Sequence, residues 1–163
     1  MSEEQHYSEL DLNLDEIENS TDAVPTKEGE FLWEITNTFL GRSGDDKKFP
    51  GAPYIRALAK PISGTKYDNT VLYKRMSIFV GLPTAAMDTE TKQSCNNQLR
   101  KVCGTFKVPV KVFMAQAAKL AFDVQNANAG FLEGKQGKII VVVKKTEDYG
   151  DQNEPAREGW LVN

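Results

Sequence analysis

The sequence predicts a mostly-β domain: a five-stranded barrel with one or two helices between its third and fourth strands. Three observations lead there. Residues 31–81 hold three alternating apolar stretches separated by clusters of Gly, Pro, Asp and Ser. Residues 89–124 change to apolar steps of three and four. Residues 138–145, KIIVVVKK, return to a β-branched run of the kind that fits a pleated surface.

The elements follow in order. FLWEITNTFLG (31–41) sets Phe31, Trp33, Ile35, Asn37 and Phe39 against Leu32, Glu34, Thr36, Thr38 and Leu40; apolar residues on both faces suit a long, coiled strand. GRSGDDKKFPGAP (41–53) is a loop by its turn residues. In PYIRALAKPI (53–62), Ile55, Ala57 and Ala59 point one way and Tyr54, Arg56, Leu58 and Lys60 the other. After the turn SGTKYDN, the third strand is NTVLYKRMSIFVG (69–81), with Val71, Tyr73, Arg75, Ser77 and Phe79 on one face. TETKQSCNNQLRKVCGTF (89–106) reads as a helix that turns Cys95, Leu99, Val102, Cys103 and Phe106 inward, capped by Thr89 or Thr91 and ending near Gly104. VKVFMAQAAKLAFDV (110–124) reads as a second helix. The fourth strand is KIIVVVKK, TEDYGDQNEPA (146–156) is a loop, and REGWLV (157–162) is a short fifth strand.

The approach to the fourth strand, GKQGK (134–138), raises the possibility of a phosphate loop. That chemistry needs G-x-x-x-x-G-K-[ST] after a strand and opening a helix, so that backbone N–H groups and the helix dipole meet the phosphate. Here the glycines precede a strand and no Ser or Thr follows the lysine. The stretch reads as a turn whose lysines could meet phosphates only as point charges.

Composition narrows the function classes. A hydrophobic content of 40% and a charged content of 26% are globular values. No apolar run is long enough to span a bilayer, and no basic segment leads into an apolar one as in a secretory signal, so a membrane is not expected. Cys95 and Cys103 fit neither a redox pair nor a metal knuckle. The single histidine, His6, lies in a polar stretch, which argues against Ser-His-Asp, Cys-His and His-metal chemistry. No enzyme, catalytic residue, cofactor or metal is expected. The net charge of −3 conceals an asymmetry: residues 1–30 carry ten acids and one lysine, whereas residues 42–145 carry eighteen Lys/Arg and seven Asp/Glu. A basic body lies between acidic ends, which suits a polyanion surface. The chain divides into an acidic, flexible segment at 1–29 and one domain at 30–163.

Strand, strand, strand, helical insert, strand, strand is the order of a five-stranded Greek-key OB barrel. Its second and third strands carry aromatic and cationic side chains on one face: Tyr54, Arg56 and Lys60, then Tyr73, Arg75 and Phe79. Aromatic rings stack bases while Lys and Arg follow the phosphates. The plain alternative makes Tyr73 and Phe79 core and the arginines surface ion-pair partners. Arg42, Lys47, Lys48 and Phe49 make the first loop a basic arm with one aromatic, which also describes a solvated loop. Lys135 and Lys138 complete the candidate set.

Several short pieces, in order, carry a resemblance. LDLNLDEIENS precedes Gly29-Glu30-Phe31; Pro53-Tyr54-Ile55 opens the second strand; Leu132-Glu133-Gly134-Lys135 precedes the fourth; Asp148-Tyr149 follows it. In this the chain resembles small phage-encoded single-stranded-DNA-binding proteins that act in replication and recombination. The resemblance implies an OB fold, sequence-tolerant binding of single-stranded DNA with contacts at Tyr54, Lys135 and Lys138, and work in the cytoplasm of a bacterial host. The acidic N-terminal segment would compete with DNA or recruit replication or recombination proteins. The competing expectation is a protein-interaction or virion accessory module whose basic body meets an acidic protein partner.

Overall fold

The computed structural model describes residues 24–45, 47–63, 73–120 and 129–161. Five strands and two helices follow in the expected order: β1 (Gly29–Arg42), β2 (Pro53–Ser63), β3 (Met76–Gly81), α1 (Thr89–Phe106), α2 (Val110–Ala117), β4 (Gln136–Thr146) and β5 (Gly150–Trp160). All neighbours pair antiparallel in one sheet of order β3-β2-β1-β4-β5. The fold is mostly β and OB-like, with β1 the central strand shared by both halves.

β1 can serve both halves because it is bulged. Its inward side chains are Phe31, Trp33 and Ile35, then Thr38 and Leu40, so the inward parity changes from odd to even. The change coincides with a register shift against β2 between Ile35 and Asn37, as expected where an extra residue is inserted and the strand coils. The LEGK stretch is what clamps this bulge. Gly134 takes φ +85°, open to glycine, and its N–H donates to Ile35 O at 2.8 Å. Ile35 N–H donates back to Lys135 O, and the Glu133 carboxylate accepts from the Thr38 N–H and hydroxyl.

The barrel interior is filled by Trp33, Ile35, Ile55, Ile78, Ile139 and Val141, with Val102 and Phe106 of α1 as the plug. Each fully buried aliphatic or aromatic side chain contributes roughly 1.5–3 kcal/mol. The last turn of α1 lies on β4 at Gly137, where an added Cβ would be 2.5 Å from Thr105 O. Asp88, rather than Thr89 or Thr91, caps the helix: its carboxylate accepts from Thr91 N–H at 2.8 Å. The helix also runs through Gly104 and ends on Lys107, in the left-handed region at φ 57°, whose neighbour Val108 donates to Cys103 O.

Among the described residues the outer strands β3 and β5 approach without a direct ladder, so the sheet is not closed. The seam is bridged instead by residues 24–28. Lys74 N–H donates to Val24 O at 2.8 Å, in an isolated parallel bridge between Val24 and Tyr73. Thr26 and the side chain of Asn153 exchange two hydrogen bonds, both groups buried. Glu28 accepts from Val143 N–H, and Lys74 Nζ donates to the carbonyls of Tyr149 and Asp151. The described part of the expected flexible segment is therefore tied to the barrel, and residues 1–23 lie outside the described residues.

Two strands differ from the sequence expectation by more than two residues at an end. β3 begins at Met76, with Tyr73 before it in the isolated bridge to Val24, while residues 69–72 lie outside the described set. β5 spans eleven residues and absorbs most of the expected loop, leaving residues 147–149 as the turn. Its Gly, Asp, Asn and Pro residues are poor strand formers, but β5 is the outer strand of the sheet and Pro155 sits where its register against β4 shifts, places that tolerate proline.

Candidate nucleic-acid interface

The outer face of β1–β3 is built by the same registers that build the core. Inside, Leu40, Ile55 and Val80 lie side by side; one residue on, Phe39, Arg56 and Phe79 lie side by side facing out. The row is packed. The Arg56 guanidinium sits 5.1 Å from the Phe39 ring centroid, a cation–π distance. Tyr54 meets Phe79 edge to face at 5.6 Å. Tyr54 has room because Gly41 lies beneath it: a Cβ there would be 2.4 Å from the ring. Phe79 remains 53% exposed, an unusual position for a phenylalanine on a sheet with a full core on its other side.

The next row along the strands sets a buried leucine between two polar side chains. Asn37, Leu58 and Ser77 are register partners, and Arg75 donates to Asn37 Oδ1 at 2.6 Å and Thr36 Oγ1 at 3.3 Å. Arg75 is buried to 9% exposure, so it reads as a strut that fixes Asn37, its charge held under the face. Lys60 lies opposite Glu34, which itself accepts from Gln136. The result is a platform of Phe39, Tyr54 and Phe79 with Arg56 at its centre and Lys60 at its margin.

The first loop borders this platform, since Arg42 pairs with Pro53 beside Tyr54. Arg42 Nη1 donates to Gly51 O and steadies the loop. Lys48 is engaged by Asp88 at 3.0 Å and lies 5.4 Å from the Phe49 ring centroid, whereas Lys47 is exposed. The hydrogen bonds of Thr91 and the ammonium of Lys48 hold the Asp88 carboxyl down at about 2.

The remaining expected residues are not brought together with the platform. Tyr73 is at the seam beside Val24. Lys135 and Lys138 are exposed, but Lys138 pairs with Leu32, seven residues and about 23 Å along β1 from Phe39. The expectation that placed Tyr54, Arg56, Lys60 and Phe79 on one face matches the registers. The residue that sequence reading missed is Phe39: strict alternation from Trp33 and Ile35 sends it inward, and the bulge sends it out. The signal was available in the inward pair Thr38 and Leu40 facing Ala57 and Ile55.

Burial raises the Cys103 thiol to about 11 and Cys95 in the same direction, and Cys95 Sγ lies against Gly81, the register partner of Tyr54. Among the described residues no group of three His, Cys, Asp or Glu is placed to hold a metal ion, and no helix is long and apolar enough to cross a membrane. No protein-family model, curated protein or solved structure matches this chain.

Proposed function

We propose that the protein binds single-stranded DNA with little sequence preference, laying bases on Phe39, Tyr54 and Phe79 while Arg56, Lys60 and the first loop meet phosphates. The observation that carries this reading is Phe79: a half-exposed ring, in register with an arginine and a second phenylalanine, on the outer face of the barrel. Contiguous aromatic surface marks a site that a partner covers, and every base has a π-face that can cover it. Val102 and Phe106 of α1 pack into the core on the other side of the sheet, which is consistent with the exposure of Phe79. The resemblance in sequence supports a place in phage DNA replication or recombination, in the cytoplasm of a bacterial host.

The test is a titration of end-labelled oligo-dT, with a duplex of equal length as control, over a range of salt. The label belongs on the DNA, because Trp33 is fully buried and reports poorly on the surface. Contacts to three to five phosphates give a log–log salt slope of about −2 to −3.5. Strong preference for the single strand with such a slope is the expected result. Equal binding to duplex, or no binding at low salt, would overturn the reading.

A further inference from the structure

A second exposed feature lies away from the platform. α1 and α2 diverge over the ends of β2 and β3 and leave a groove of about 630 Å³ whose walls include Leu82, Leu99, Val110, Phe113, Met114 and Ala117. Phe113 is buried at its floor, whereas Val110 and Met114 are 41% and 59% exposed along its lip. Arg100 stands at the edge. The surrounding chain is one-signed: residues 91–120 contain Lys92, Arg100, Lys101, Lys107, Lys111 and Lys119 and no acid. An apolar trough with a cationic surround selects an acidic amphipathic segment.

The chain itself carries such a segment. Within ELDLNLDEIE (9–18), Leu10, Leu14 and Ile17 recur at i, i+4 and i+7, the anchor spacing of a helix laid in a groove, and five acids surround them. Reach decides whose groove it can fill. Val24 is fixed beside Tyr73, and the groove begins at Leu82, nine residues further along the chain and so at most about 30 Å away. Ile17 is seven residues from Val24, about 25 Å at full stretch. Along that path the tether falls short of its own groove, a limit that a second copy's groove does not impose.

We infer that residues 9–18 of one copy dock in the α1–α2 groove of a second copy. Such a contact is head-to-tail: it leaves a free segment at one end and a free groove at the other, so copies add until the rotation closes a ring or continue in an open chain. The inference does not rest on DNA binding, and it is tested without DNA.

The experiment measures the mass of the full chain in solution by light scattering across a concentration series. The parent should rise with concentration from one protomer through dimers and beyond. Met114→Glu, at an exposed lip position, and the triple change Leu10→Ser, Leu14→Ser, Ile17→Ser should each stay monomeric and melt as the parent does. Their equimolar mixture should form dimers that grow no further, since one supplies the intact segment and the other the intact groove. Arg100→Glu should weaken association in the same direction. A parent that stays monomeric at all concentrations, variants that associate like the parent, or a mixture that fails to dimerise would each overturn the inference.

Discussion

Replacing Phe79 by alanine separates stacking from charge. The side chain is half exposed and touches Tyr54 edge to face. Its loss removes one aromatic pair, worth about 0.5–1.5 kcal/mol, and opens no core cavity. The fold should therefore persist with a slightly lower melting temperature. Binding should suffer more. One stacked base is worth about 1–3 kcal/mol, so Kd for oligo-dT should rise about 5- to 150-fold. Because no phosphate contact is lost, the salt slope should not move. Arg56→Gln makes the complementary change: it removes one cation, so the slope should become less negative by about 0.7. It also frees the Phe39 ring from its cation partner. Ile78→Ala serves as the control, since Ile78 is 2% exposed on the inner side of the same strand. That change should cost about 2–5 kcal/mol of stability while folded protein still binds. Fluorescence anisotropy with labelled oligo-dT gives Kd and slope, and circular dichroism gives melting. A folded Phe79→Ala protein with unchanged Kd refutes the stacking argument; one whose slope flattens shows that charge has been mistaken for stacking.

Further outcomes follow from the scaffold. Asn153→Ala leaves the buried Thr26 N–H without its acceptor, at a cost of about 1–3 kcal/mol, and should speed hydrogen exchange at residues 24–28 more than in β1. Gly137→Ala pushes a methyl against the Thr105 carbonyl and should cost about 1–3 kcal/mol in thermal or urea melts, with α1 the first element to loosen. Asp88→Ala removes the α1 cap and should lower the melting temperature near neutral pH, while Asp88→Asn should retain most of the cap. The folded carboxyl sits at about 2 against an ordinary 3.8, so its contribution is present above the ordinary value and lost as pH falls toward the lower one. Parent and Asp88→Ala melting temperatures should accordingly converge near pH 2. Iodoacetamide should modify Cys95, which is half-buried, faster than the buried Cys103 under native conditions.

Much of the architecture was legible because period and composition agree. The alternation in 53–62 fixed which side of β2 faces the core, and Ile55, Ala57 and Ala59 are all buried. The three-and-four spacing of Leu99, Val102, Cys103 and Phe106 likewise marked the inner face of α1. What escaped were features decided by partners distant in sequence. The bulge in β1 is clamped by residues 133–135, about a hundred positions away, so alternation within β1 alone misplaces Phe39, and only the pairing of Thr38 and Leu40 with Ala57 and Ile55 turns it outward. β5 is a strand because β4 lies beside it and Asn153 holds Thr26, despite a composition that reads as loop. Asp88 became the cap in preference to Thr89 because the helix begins one residue earlier than a Thr89 cap requires, and Lys48 supports it from the first loop. For the candidate site, residue types were readable and convergence was not. Lys138 and Arg56 look equally cationic in the sequence, yet β1 carries them to opposite ends of the barrel.

The central claim is that single-stranded DNA lies on the outer face of β1–β3. Ultraviolet cross-linking of the protein to oligo-dT, followed by mass spectrometry of the joined peptides, tests it most directly. Thymine joined to Phe39, Tyr54 or Phe79 is the expected result. Cross-links confined to Tyr149, Trp160 or the helices, with the three platform rings untouched, would contradict it.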